Sequence, residues 1–308
     1  MDTGELLSNI TTLPLISGSL AEEMLSGNFR SIFKGQGMEF DEARHYEPGD
    51  DIRSIDWNAS ARFGRPYVKM YREERELTVF ILLDISPSMH RMNIARQGYS
   101  PYEQALVSAS LIAFAAEHTG QQTGAVFFDK DIEKVFPPRK GRRNIMSFIM
   151  AAIQSQDNIL ARKDKHGSNI SSALQAAQRL LKRRSLVVLI SDFYSINWEH
   201  DMENLCRKHD VIALRVCDPP DLPFPGLITI EDPETGVRIE APAGMASFKE
   251  AWAGWHGERS AHWESQCRRS GAAFLELTTK EDAPSSLLKF FGRYSAYTQG
   301  QNTYRQRV

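Results

Sequence analysis

Two short runs constrain this chain more than any other feature: Val79-Phe80-Ile81-Leu82-Leu83 and Leu186-Val187-Val188-Leu189-Ile190. Both are apolar at every position, without the alternation of a strand that faces water on one side. Such strands need cover on both faces, which a parallel sheet between two helical layers provides. The sequence between and after them reads accordingly. Strands are expected at 77–84, 123–128, 132–136, 186–190, 211–216 and 273–277, and helices at 102–118, 142–155, 170–182, 198–208, 246–269 and 284–291. Gly120 closes the first helix, and Pro137-Pro138 is expected to stop the strand that starts at Ile132. Segments 228–230 and 237–239 bracket Glu234-Thr235-Gly236 as a small hairpin. The fold class is α/β, a mainly parallel open sheet with helices on both faces, plus a small N-terminal extension.

Residues 1–33 read as a helical lead-in interrupted by Pro14 and Gly18. Residues 34–65 mix Gly and charge with Phe40, Tyr46, Ile52, Ile55 and Trp57, as an irregular segment pinned by aromatics, and a strand follows at 67–72. Three parts result: 1–76 (lead-in and signature segment), 77–295 (the sheet domain) and 296–308 (a polar, mobile tail). With 37 basic and 39 acidic residues the net charge is −2, which argues against a nucleic-acid binder. Three cysteines without a short repeated spacing suggest reduced thiols rather than disulfides or a zinc site. The opening MDTGELL lacks signal-peptide order, and no apolar run reaches the ~20 residues of a membrane helix. A cytoplasmic protein without a membrane span is expected.

The first apolar strand ends in Asp84, Ser86 and Ser88, three oxygen-bearing residues at alternate positions. In extended chain they point the same way, at the carboxyl edge where open α/β sheets bind ligands. Leu189-Ile190-Ser191-Asp192 repeats the pattern of a strand ending in aspartate, and Ser168 in Gly167-Ser168-Asn169-Ile170 precedes a helix. Asp84, Ser86, Ser88, Ser168 and Asp192 make an oxygen-only set that suits Mg²⁺ better than Ca²⁺ or zinc. Each piece also has a purely structural reading: Ser86 and Ser88 as turn residues around Pro87, Ser168 as a helix cap, and Asp192 as a cap for the element after its strand.

Asp84-x-Ser86-x-Ser88, the hydroxyl in GSNISSAL and the strand LVVLISD together resemble the von Willebrand factor type A domain, a Rossmann-like fold, and its metal-ion-dependent adhesion site. The resemblance covers residues 77–292. It implies that Asp84, Ser86, Ser88, Ser168 and Asp192 surround Mg²⁺ or Mn²⁺. Ser168 stands where that family commonly has Thr. Upstream, Glu39, Phe40, Arg44, Tyr46, Asp50, Arg53, Asp56, Trp57, Ala61, Arg62 and Glu74, with Gly35, Gly37 and Gly49, are similar to the signature of the bacterial "domain of unknown function 58" family. That resemblance implies a MoxR-type AAA+ ATPase as partner. Arg44, Asp50, Asp51, Arg53, Asp56 and Arg62 are expected to pair beneath Trp57, as a structural clasp or as a docking surface.

The remaining signals are weaker. No phosphate-binding loop and no Gly-x-Ser-x-Gly elbow occurs. Arg139-Lys140-Gly141-Arg142-Arg143 reads as a solvated turn. Trp252, Trp255 and Trp263 read as a core-facing helical stripe, and His90 as a surface residue. The expected function is a non-enzymatic, metal-dependent protein-interaction module, an adaptor or co-chaperone-like partner of the ATPase, whose cation takes an acidic residue of the partner. The alternatives are a metal-dependent phosphoesterase, for which no base is evident, and a metal-free scaffold.

Overall fold

A computed structural model describes residues 10, 12–14, 17–22, 39–47, 50–51, 55–72, 77–90, 99–161, 167–218, 226–231 and 238–292. The tail expected at 296–308, the hairpin turn at 234–236, Arg53, and the signature residues Gly35, Gly37, Gly49 and Glu74 lie outside them. The chain forms two compact units, one of residues 31–76 and one of residues 1–30 with 77–308.

In the smaller unit, β1 (Glu39–His45) pairs antiparallel with β2 (Tyr67–Arg72), and α1 (Trp57–Phe63) lies between them in the chain. Asp56 starts α1 by accepting the Asn58 and Ala59 N–H groups at 3.0 and 3.1 Å. Gly64, at φ 67°, ends it in the left-handed region that Gly enters without strain. Arg44 pairs with Asp50 at 2.6 Å. Trp57 does not cover these charges. It occupies the first position of a short helix with no buried residue and is 69% exposed.

The larger unit runs β3 (Thr78–Asp84), α2 (Pro101–His118), β4 (Gln122–Phe128), β5 (Ile132–Arg139), α3 (Arg142–Ala161), α4 (Ile170–Leu180), β6 (Leu186–Ser191), α5 (Glu199–Cys206), β7 (Asp210–Cys217), β8 (Ile228–Glu231), β9 (Arg238–Ala241), α6 (Ala246–Ser270) and β10 (Ala273–Thr278), with a last helix at 283–292. Strands β8 and β9 form a separate antiparallel pair. The main sheet has the order β10-β7-β6-β3-β4-β5 and is parallel except for β5. This is the doubly wound order, in which the chain leaves β3 in one direction and returns through β6 in the other. The architecture is the expected α/β fold, a mainly parallel open sheet with helices on both faces, and its switch point falls at the carboxyl ends of β3 and β6.

The apolar runs are explained by what covers them. Phe80 and Leu82 face a cluster built from Ile170, Leu174 and Ala177 of α4, Met202 and Leu205 of α5, and Trp263 and Cys267 of α6. The opposite face carries α2, which is buried from Pro101 to Ala116 around its whole circumference, its few polar residues (Glu103, Gln104, Ser108, Ser110) included. Its start is set by a capping box, with Ser100 and Glu103 each accepting the other's backbone N–H. Its Tyr102 hydroxyl donates to the Ala152 carbonyl of α3 at 2.7 Å, and Gln104 donates to the carbonyls of Thr278, which ends β10, and of Glu281 after it.

Three expectations are corrected. Strand β5 runs through Pro137-Pro138 to Arg139, because it is the sheet edge and pairs on one side only, with an irregular register opposite Thr123–Ala125. The tryptophan stripe is core-facing only at Trp263, which is 3% exposed. Trp255 is 44% exposed, because α6 buries no residue before Trp263. His90 is half-buried rather than superficial, its ring tilted against that of Tyr102 at 4.1 Å. Among the described residues no helix is long and apolar enough to cross a membrane. The cysteines Cys206, Cys217 and Cys267 are free thiols.

Candidate functional site

Parallel pairing of Leu83 with Ile190 brings the ends of β3 and β6 side by side, so Asp84 stands next to Ser191. Beyond Asp84 the chain tightens into a single helical turn over Pro87–His90. That turn points Ser86 and Ser88 back toward Asp84, with their hydroxyl oxygens 3.0 Å apart. It is pinned by the Ile85 N–H donating to the Phe128 carbonyl at the end of β4.

Asp84 is the centre of the arrangement. Its Oδ1 accepts the Ser86 backbone N–H at 2.9 Å. Its Oδ2 accepts the Ser168 and Ser191 hydroxyls at 2.7 and 2.6 Å. Ser168 does not cap α4. That task belongs to Asn169, whose side chain accepts the Ser172 N–H, and Ser168 is left to reach across to Asp84. The loop is held by the Asn169 N–H donating to the Asp129 carbonyl at 2.7 Å.

On the other side, β6 exits through Asp192 and Phe193. Asp192 accepts the Tyr194 N–H at 3.2 Å and does not cap α5, whose N-cap position is Trp198 and which has no side-chain cap. Phe193 has φ 55°, a left-handed conformation that costs a residue with a large side chain. Neighbours hold it there: Trp198 and Trp263 flank its ring at 5.4 and 5.3 Å, and Arg259 donates to its carbonyl. All five predicted residues therefore gather at one edge. Ser191 is a sixth member that spacing alone did not single out; lining up the strand ends LLD and LISD in parallel register finds it.

The electrostatics are unusual. Asp84, Ser86, Ser191 and Asp192 are wholly buried and Ser88 nearly so. Burial, and next the charge of Asp192, push Asp84 up to about 6 from 3.8, against the opposing hydrogen bonds from Ser191 and Ser86. Among the described residues Asp84 forms no ion pair. Two buried carboxylates facing neutral hydroxyls suit a hard divalent cation, which would neutralise the charge while the hydroxyls supply further oxygen ligands. Among the described residues no three His, Cys, Asp or Glu side chains converge, so the donor set rests on serine hydroxyls. Burial holds the neighbouring His90 down at about 4, neutral at physiological pH.

Sequence relatives match this chain over part or nearly all of its length. An uncharacterized protein of Mycobacterium tuberculosis is 29% identical over 297 residues, covering 94% of this chain and 90% of that protein. An uncharacterized Mycobacterium avium protein is 31% identical over 125 residues, 40% of this chain and 73% of that one. Among solved structures, an aerotolerance-related membrane protein from Bacteroides fragilis, with multiple mutations to serines, matches 72% of this chain and 99% of its own at 18% identity and TM-score 0.46. The von Willebrand factor type A domain of SpRpn10 matches 69% of this chain and 94% of its own at 11% identity and TM-score 0.39. The family described as "Protein of unknown function DUF58" matches residues 42–261, most of the sheet domain and much of the segment before it, and the chain belongs to that family.

Proposed function

We propose that this protein is a metal-ion-dependent protein-interaction module, in which Mg²⁺ or Mn²⁺ at the sheet edge takes a carboxylate from a partner protein. The observation that carries the reading is the convergence of Ser168 and Ser191 on one oxygen of a buried Asp84, with Ser86, Ser88 and Asp192 beside it. Asp84, Ser86, Ser88, Ser168 and Asp192 would hold the cation. Because the hydroxyls are neutral, the ion keeps positive charge that an acidic side chain neutralises. In the fuller form of the proposal the chain is cytoplasmic and catalyses no reaction itself. It serves as an adaptor or co-chaperone-like partner of a MoxR-type AAA+ ATPase, an assignment supported by the resemblance of the signature residues. Calorimetric titration with Mg²⁺ and Mn²⁺, and pull-downs in Mg²⁺ and in chelator, test it. Metal heat and partner retention should both vanish in Asp84→Ala; retention unchanged by chelator or by that substitution refutes the proposal.

A second reading has one observation in its favour. The hydroxyls of Ser168 and Ser191 already satisfy Asp84 Oδ2, so the cluster also works as a metal-free clasp joining β3, β6 and the loop before α4. A scaffold of this kind gives neither heat nor thermal shift on Mg²⁺ titration.

A further inference from the structure

Next to the oxygen cluster the sheet edge opens into a cleft of about 560 Å³, within the ~300–1,000 Å³ of ordinary ligand sites. Ser168 belongs to both: its hydroxyl donates to Asp84 while the residue lines the cleft. The walls come from three turns, with Lys130 following β4, Ser168 and Asn169 entering α4, and Ser195, Ile196 and Asn197 following β6. These turns are tied together. The Asn169 N–H donates to the Asp129 carbonyl at 2.7 Å, the Ser171 hydroxyl to the Asn197 carbonyl at 3.1 Å, and the Ile170 N–H to the Ser195 hydroxyl at 3.4 Å. The cleft is thus built before anything enters it.

Its chemistry is one-sided. The lining holds one cation, Lys130, and no carboxylate, in a chain of net charge −2. Lys130 is exposed and makes no ion pair among the described residues. The positive end of the α4 dipole faces the same turn. Asn197 adopts the left-handed region at φ 62°, and Ile196 before it stands 78% exposed at the rim. The complement of such a surface is acidic with an apolar neighbour.

We infer that this cleft is the specificity half of the interaction site, seating an extended acidic segment of a partner protein with a second acidic side chain on Lys130 and an apolar one against Ile196. The inference rests on the metal reading above for the first acid, and it adds which residues choose the partner.

The test is an array of short peptides varied around one Asp, probed with the full chain in Mg²⁺ and in EDTA. The wild type should select a second acidic residue and an aliphatic one at fixed offsets. Lys130→Glu should weaken the selected peptide roughly fivefold or more and turn the second preference to Lys or Arg. Ile196→Ser should remove the aliphatic preference. Both should leave the Mg²⁺ titration unchanged. Identical selection by wild type and both variants, or no retained peptide, overturns the inference. The two readings separate cleanly. Lys130-dependent selection that persists in EDTA supports the cleft and defeats the metal. Selection that needs Mg²⁺ but ignores both variants defeats the cleft alone.

Discussion

Replacing Asp84 with Asn removes a buried charge and keeps the side chain's shape. The shift of Asp84 from 3.8 to about 6 corresponds to about 3 kcal/mol at 1.36 kcal/mol per pH unit. The folded state holds the proton more tightly than the unfolded state. The cost is therefore absent below about pH 4, grows as pH rises toward 6, and is constant above that. Asn avoids it. Its carbonyl can replace Oδ2 as acceptor for Ser168 and Ser191, but its amide then meets the Ser86 N–H that Oδ1 now accepts, costing about 1–2 kcal/mol. In chelator at pH 7 the variant should be the more stable by about 1–2 kcal/mol, or roughly 2–8 °C in Tm for a domain of this size. Near pH 4 the order should reverse. The difference between the two proteins therefore moves by roughly 2–2.5 kcal/mol across that window, and the hydrogen-bond cost cancels from the pH dependence. Urea unfolding in EDTA from pH 4 to 7 measures it. Saturating Mg²⁺ should then raise the wild type by about 2.7 kcal/mol at a hundredfold excess over Kd and leave the variant unmoved. A difference curve that is flat in pH refutes the reasoning, because it means that the folded state does not perturb Asp84.

Ser191→Ala removes the 2.6 Å donor to Asp84 and should weaken Mg²⁺ about 10- to 100-fold by calorimetry, the usual effect of losing a group that orients a ligand. Gly124→Ala places a Cβ 2.8 Å from the Phe80 ring and 2.9 Å from the Phe136 carbonyl, so β5 must shift and urea unfolding should show a loss of about 1–3 kcal/mol. Burial lowers His90, to about 4, and His209, so the unfolded chain takes up these protons first. The stability they permit is full above about pH 6.5 and falls as pH drops below it. Denaturation midpoints between pH 7 and 5 should decline less steeply in His209→Gln than in wild type.

The central strands were legible because nothing but two-sided burial explains five consecutive apolar positions. The same logic located Asp84 and Asp192, each the first carboxylate after such a run. Ser191 was harder to see. It is also a strand end, but its role depends on which strand lies beside β3, and pairing is a tertiary fact. Ser168 and Asn169 are both good helix caps by type; only the reach to Asp84 decides between them. Pro137-Pro138 misled because a proline stops a strand only on the side that must donate hydrogen bonds, and β5 has one such side. The tryptophans of α6 have helical spacing throughout, yet spacing does not say where the sheet beneath the helix ends.

The two prolines of β5 carry a further consequence. An outer strand is a template on which another chain can add itself, backbone to backbone. Here β5 lacks the N–H donors of the adjacent Pro137 and Pro138, which fall on its two flanks in turn, and carries Glu133, Lys134 and Arg139 exposed. Strand addition from a second molecule is hindered along the outer flank. Self-association through this flank is disfavoured, so a partner that docks as proposed meets the loops at the sheet's carboxyl end rather than this edge.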